Sequence, residues 1–385
     1  MARLASTNLL PPGRLIFLDA LRGVAALAVV GFHLAWITPL REPLAAILPP
    51  AIMAIFEQGH AGVAVFFALS GFVIARSLSR ADVDWPFFGR FALRRSIRLD
   101  PPYWCAVGLA ALVFTLAAAF PDAPARPTLP EVAAHVVYLQ DILGLRPLAV
   151  QFWTLPYELQ FYLVACACLG LEQFLRRRLL GVRGVALAGI IVHAPLAIVS
   201  FALAMSAIGT HGWFLDLWYQ FFLGALTCRM LEGRVSRAIW GSAIIVVAGG
   251  GVMTHSARVS LMVLTCVLIV VAAGVGRLTS WGAWRPLQWL GRISYSLYLT
   301  HFVGMVMCQA LARLFVLGPW AAVAALLAGL VLSLSLAAAF HHFVEAPSLT
   351  LSRSPHPFRE LRARLSGSAP TDCSSPSSDT TPRVR

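Results

Sequence analysis

The chain alternates long apolar runs with short polar links. Runs of spanning length, about 20 residues, fall near 15–36, 60–79, 102–120, 151–172, 183–206, 213–231, 237–254, 258–276, 291–315 and 319–343. Each predicts a transmembrane helix, about ten in all, and the seventh and eighth are joined only by a short link around His255. Two longer links, 37–59 and 121–150, carry amphipathic stretches at 51–56 and 129–143 that predict short helices lying in the interface. The first run is long enough to span, so it predicts a retained first helix and not a cleaved signal. Ser, Pro and Thr crowd 366–385, a composition that favours disorder. The expected organisation is a membrane-embedded unit over 1–347 and a largely disordered cytoplasmic tail over 348–385.

Composition makes the bilayer the only reasonable solvent for these runs. Hydrophobic residues are 59% of 385 positions and charged residues 12%, against about a quarter charged in soluble domains. Mean hydropathy is +0.77. The expected class is therefore an all-α integral membrane protein, multi-pass, in the inner (cytoplasmic) membrane. The formal net charge is +13, and all 30 basic residues are Arg, with no Lys. Such a balance can signal nucleic acid, but here the Arg residues sit in the links between apolar runs, so topology explains them and no nucleic-acid partner is expected. Only Arg41, Arg126, Arg146, Arg258 and Arg313 fall in one alternate set of links; the other 25 fall in the N-terminal segment, the even-numbered links and the C-terminal tail. The positive-inside rule then puts both termini in the cytoplasm, which an even helix count permits. Seven Cys lie mostly inside apolar runs; their spacing fits neither a disulfide framework nor a metal site, so packing is their expected role and no metal is expected.

Ionisable groups inside a bilayer cost several kcal/mol and are functional candidates by default. In the first run, LDALRGVAALAVVGFHL, Arg22 and His33 lie ~20° apart around a helix and ~16 Å apart along it, so both line one face. Glu158 follows Pro156 inside FWTLPYELQFYL, where Trp153 and Tyr157 fit an interfacial aromatic belt. Ser294, Tyr298 and His301 in GRISYSLYLTHF form a polar stripe on one face; interhelical hydrogen bonding explains such a stripe as well as function does. Arg94, Arg95 and Arg98 are helix-spaced before Asp100, and read either as a headgroup and topology signal or as a site for a phosphorylated ligand. Ser70 and Gly71 sit near the middle of GVAVFFALSGFVIA, where small residues normally serve close helix packing. A neutral His can take a proton from a hydroxyl, Glu158 can orient it or act as a base, and Arg can hold a phosphorylated carrier. Acyl transfer across the membrane and proton-coupled transport of an anionic or acylated metabolite both suit this set.

Six segments in order resemble the acyltransferase-3 family, integral membrane O-acyltransferases acting on polysaccharides, sugars and related acceptors. They are the Arg22-to-His33 pair, GVAVFFALSGF, RSIRLDPPYW, FWTLPYELQFYL, SYSLYLTH and VEAP near Glu345, covering Leu18 to Pro347. The resemblance implies His33 as catalytic base, Arg22 as part of the donor site, and functional roles for Glu158, Arg95 and Arg98. With it, Ser70, Trp153, Tyr162, Tyr298 and His301 become candidates for contact with substrate. It implies an acyl-CoA donor, commonly acetyl-CoA, as a substrate and not a resident cofactor, a carbohydrate or glycosylated acceptor, and the lipid bilayer as the remaining partner; a homo-oligomer stays open. One departure stands out: many members carry Asp where this chain has Ala64.

Overall fold

Every predicted apolar run coincides with a helix or helix pair in the computed structural model, which describes residues 8–119, 125–179, 181–206, 208–210 and 212–354. No strand occurs among the described residues. The helices are α1 (Ile16–Gly31), α2 (Arg41–Ala45), α3 (Pro50–Gln58), α4 (Gly62–Leu78), α5 (Trp85–Ala117), α6 (Leu129–Val136), α7 (Thr154–Arg178), α8 (Gly181–Met205), α9 (Trp218–Leu231), α10 (Arg237–Met253), α11 (Ala257–Gly274), α12 (Arg285–Thr300), α13 (Phe302–Leu314), α14 (Pro319–Phe340) and α15 (Ala346–Arg353). Among the described residues seven helical stretches are long and apolar enough to cross a bilayer, and an eighth if α12 and α13, bent by 56°, count as one span. Against the expected ten, α9 and α10 fall short of the usual spanning length, with 14 and 17 residues. A short helix survives inside the bundle because it needs no lipid-facing length: most of α9 is buried.

Three boundaries differ from the pattern-based expectation. The Arg cluster does not sit in a link ahead of a helix beginning at 102. It belongs to the first half of α5, which runs unbroken for 33 residues through Pro101 and Pro102. Two adjacent prolines normally stop a helix by removing donors and crowding the preceding turn. Here Asp84 caps the start by accepting from the Phe87 N–H at 2.6 Å, and the far half is held in an aromatic core with Tyr103 and Phe152. At ~50 Å, α5 is longer than a ~30 Å hydrocarbon core, so its Arg-bearing half extends past it. The ninth run is broken at His301. The last run continues through a π-helical turn, His341–Glu345, into α15, so the boundary expected at 347 falls inside a helix; the rest of the expected tail, 355–385, lies outside the described residues. Pro347 is tolerated there because it stands in the first turn of α15.

Small residues set the closest helix crossings. A side-chain carbon added at Gly71 would sit 1.8 Å from the Phe221 carbonyl oxygen, and one at Gly224 would sit 1.8 Å from that of Ala68. α4 and α9 thus touch backbone to backbone. Gly291 on α12 meets the Asp19 carbonyl of α1 in the same way, at 2.2 Å. These crossings fix three of the helices that wall the site: α1, α4 and α12.

Candidate active site

α1, α4, α5, α7 and α12 line a partly open cavity. Helical spacing brings its polar side chains to one place. Thr154, Glu158 and Tyr162 are successive i, i+4 positions on α7, Ser294 and Tyr298 are i, i+4 on α12, and Arg95 and Arg98 are i, i+3 on α5; Arg22 and Ser70 complete the set. Ser70 Oγ donates to Glu158 Oε1 at 3.3 Å, and the Tyr162 hydroxyl donates to the same oxygen. The Arg95 guanidinium lies over the Tyr162 ring, 5.1 Å from its centre. Arg22 Nε is buried and has no hydrogen-bond partner among the described residues. Three guanidinium groups therefore face one carboxylate, and Glu158 makes no ion pair with any of them. Three cations facing one carboxylate leave a net positive charge on a largely buried wall, and an anion would offset it.

A second cluster adjoins this cavity. α1 ends in a π-helical turn, Phe32–Ile37, a widening that recurs at functional sites; it carries His33. His33 Nδ1 lies 3.0 Å from the Val29 carbonyl and 3.1 Å from His301 Nε2. His301 Nδ1 lies 3.0 Å from the Leu297 carbonyl. Carbonyl oxygens only accept, so each Nδ1 carries the proton. The single His33 Nδ1–H then lies between two acceptors, the Val29 carbonyl and His301 Nε2, and the lone pair of His33 is left on Nε2, which has no protein partner among the described residues. Two neutral imidazoles are thus arranged so that one presents a free base nitrogen. Tyr298 lies between the two clusters. Its ring lines the cavity beside Phe66 and approaches His301 with centres 6.1 Å apart, and its hydroxyl is held by the Gln151 carbonyl at 2.9 Å and by Thr154 Oγ1 at 2.8 Å.

Comparison with known proteins identifies the family. The sequence model of a family described as an acyltransferase domain matches residues 15–338. The chain belongs to the acyltransferase-3 family. Relatives include ExoZ of Rhizobium meliloti, named an exopolysaccharide production protein, 30% identical over 325 residues that cover 82% of this chain and 96% of ExoZ. BcsY of Komagataeibacter xylinus, whose name gives a candidate membrane-bound transacylase, is 29% identical over 321 residues covering 78% of this chain and 75% of BcsY. No solved structure matches.

In this acyltransferase the expected site residues divide. Arg22, Ser70, Arg95, Arg98, Glu158, Tyr162 and Tyr298 line the cavity, as does Ser294. His33 and His301 do not; they form the adjoining pair. Trp153 does not line it either, but packs edge-on against Phe67 and Tyr157. Ser70 and Gly71, neighbours in sequence, separate: the glycine serves the α4–α9 crossing and the serine faces the cavity. Ala64 is buried in an apolar cluster with Tyr219, Leu223 and Met262, so the acyltransferase uses for packing the position where many members carry Asp. Sequence reasoning passed over Thr154 and Tyr295, both on the cavity wall. Thr154 was within reach, standing one helical turn before Glu158. Glu345 of the VEAP segment stays off the cavity: it accepts from Ser296 Oγ at 2.6 Å and lies 2.9 Å from His341 Nδ1, which ties the end of α14 to α12.

Proposed function

We propose that this acyltransferase moves an acyl group, acetyl in the simplest case, from cytoplasmic acyl-CoA to a hydroxyl of a glycan or glycosylated acceptor reached from the opposite side of the inner membrane. Both termini are cytoplasmic in this reading, which the distribution of Arg supports, and α9 and α10 complete ten crossings. The observation that carries it is the juxtaposition of an arginine-lined cavity with a neutral histidine pair whose free nitrogen is His33 Nε2. The cationic wall suits a phosphorylated donor. The acceptor oxygen bonds to the acyl carbon while its proton passes to His33 Nε2. The carbon–sulfur bond breaks, the sulfur leaves as thiolate and is then protonated, and the products are an ester and the CoA thiol. His301 is a positioning residue that keeps His33 in the reactive tautomer. The proton that His33 took from the hydroxyl is the one that ends on the sulfur, which returns His33 to its neutral form, and Glu158, the one carboxylate on the cavity wall, is assigned to relaying it. The exopolysaccharide role in the name of ExoZ favours a polysaccharide or its lipid-linked precursor as acceptor.

The test follows CoA release from acetyl-CoA by the purified protein in vesicles. Wild type releases CoA slowly with water, faster with cell-envelope extract, and His33→Ala reduces the rate by about 10²–10⁴-fold, as expected for loss of a general base. Full activity in a folded His33→Ala protein refutes the base. Substrate flux across vesicles without CoA release refutes the transferase reaction and favours a transporter.

A further inference from the structure

A second hollow opens beside the central cavity and shares Arg95 and Arg98 with it. It is a groove between α5, the end of α4 and α15. Arg90, Arg94, Arg95 and Arg98 come from one helix, and Arg353 comes from the other side. No carboxylate lines the groove, and none of the five guanidinium groups makes an ion pair among the described residues. Phe87 and Phe91, also on its wall, lie 6.3 Å apart with ring planes 14° from parallel, which adds an aromatic surface. Five guanidinium groups without ion pairs beside two aromatic rings match a ligand with several phosphates and a planar base.

α15 is firmly placed. Glu345, immediately before it, is 5% exposed and bonded to Ser296 of α12 and to His341. Ser352, beside Arg353, is buried. Arg353 is therefore presented from an anchored helix that packs on α5.

We propose that α15 completes the donor site: Arg353, with Arg90 and Arg94, holds the phosphates of the nucleotide end of the acyl donor, and Arg95 and Arg98 mark the passage by which the thioester end reaches the cavity. This rests on the function proposed above, but adds a binding element beyond residue 338, where the match to the family ends. An anionic lipid headgroup offers the same phosphate chemistry, and the test separates the two sources.

The experiment compares full-length wild type, Arg353→Gln and Arg90→Gln in nanodiscs of zwitterionic lipid. Donors are acetyl-CoA and acetyl-pantetheine, which has the thioester but no nucleotide. Arg353→Gln is expected to raise KM for acetyl-CoA about tenfold, the loss of one charge-assisted contact, with kcat unchanged. Its kcat/KM for acetyl-pantetheine stays at the wild-type value, and Arg353→Lys restores part of the acetyl-CoA affinity. Arg90→Gln, on the opposite wall, behaves like Arg353→Gln, so a folding defect in one variant does not decide the matter. An unchanged KM for acetyl-CoA in both Gln variants overturns the inference while the acyltransferase reading survives. So does an unchanged KM combined with loss of thermal stabilisation by phosphatidylglycerol vesicles, which assigns the groove to lipid. Absence of acetyl-CoA turnover in wild type is a failure of the proposed function itself, and the inference falls with it.

Discussion

Glu158 and Glu172 stand on one face of α7, ~21 Å apart along its axis, and their surroundings could hardly differ more. Glu172 is surrounded by nitrogen partners: two guanidinium groups, Arg176 one turn on and Arg229 of α9 at 3.1 Å, and the imidazole of His193 of α8 at 2.9 Å. It makes no contact with the cavity. Glu158 has two hydroxyl donors and no cation in contact, although three arginines share its cavity. A carboxylate with all its partners in the protein is a clamp, joining three helices. A carboxylate whose countercharges are held apart from it leaves those charges free for something that comes and goes. The kind of bonded partner, hydroxyls for Glu158 and guanidinium groups for Glu172, separates the two acids.

The comparison breaks if the two carboxylates respond alike to the same substitution. Glu158→Gln is expected to lower kcat by about 10²–10⁴-fold while the melting temperature in detergent stays near that of wild type, since both hydroxyl donors keep an oxygen to bond. Glu172→Gln is expected to do the reverse. It strands Arg229 and costs about 3 kcal/mol of stability, seen as a lower melting temperature, with turnover of the folded fraction close to normal. Adding Arg229→Met to it should cost less than the two changes made separately. A third carboxylate, outside the spans, sharpens the scale. Glu131 caps α6 through Thr128 and pairs with Arg146 at 3.1 Å, and the Arg146 hydrogen bond is the largest cause holding its pKa down to about 2. A depressed pKa stabilises the fold above the unfolded value, about 4.3, and that contribution disappears as pH falls from there through about 2. Hydrogen exchange of the segment 128–146 should therefore quicken over that window in wild type and lack that step in Glu131→Gln, whose cost at neutral pH stays below about 1 kcal/mol.

Much of this site was legible in the sequence because a bilayer makes polar residues conspicuous. Arg22, Glu158 and Tyr298 stand out inside apolar runs, and helical periodicity alone puts Arg95 and Arg98 on one face. What escaped was decided by contacts between distant elements. Glu172 stands six positions from Arg178 in a stretch that reads as the charged end of a span, and only the approach of α8 and α9 reveals it as buried. The pairing of His33 with His301 joins the first run to the ninth. Pro101 and Pro102 read as a break, and only the packing of both halves of α5 makes them part of one helix. Groove-lining Arg353 lay in what composition assigned to a tail.

The backbone contact at Gly71 and Gly224 also sets how little the α4–α9 seam can absorb. A β-carbon at either position meets a carbonyl oxygen at 1.8 Å, so even alanine forces the two helices apart. Ser70, next to Gly71, stands on the cavity wall, so a single methyl group added on the far side of α4 shifts the position from which that hydroxyl reaches Glu158.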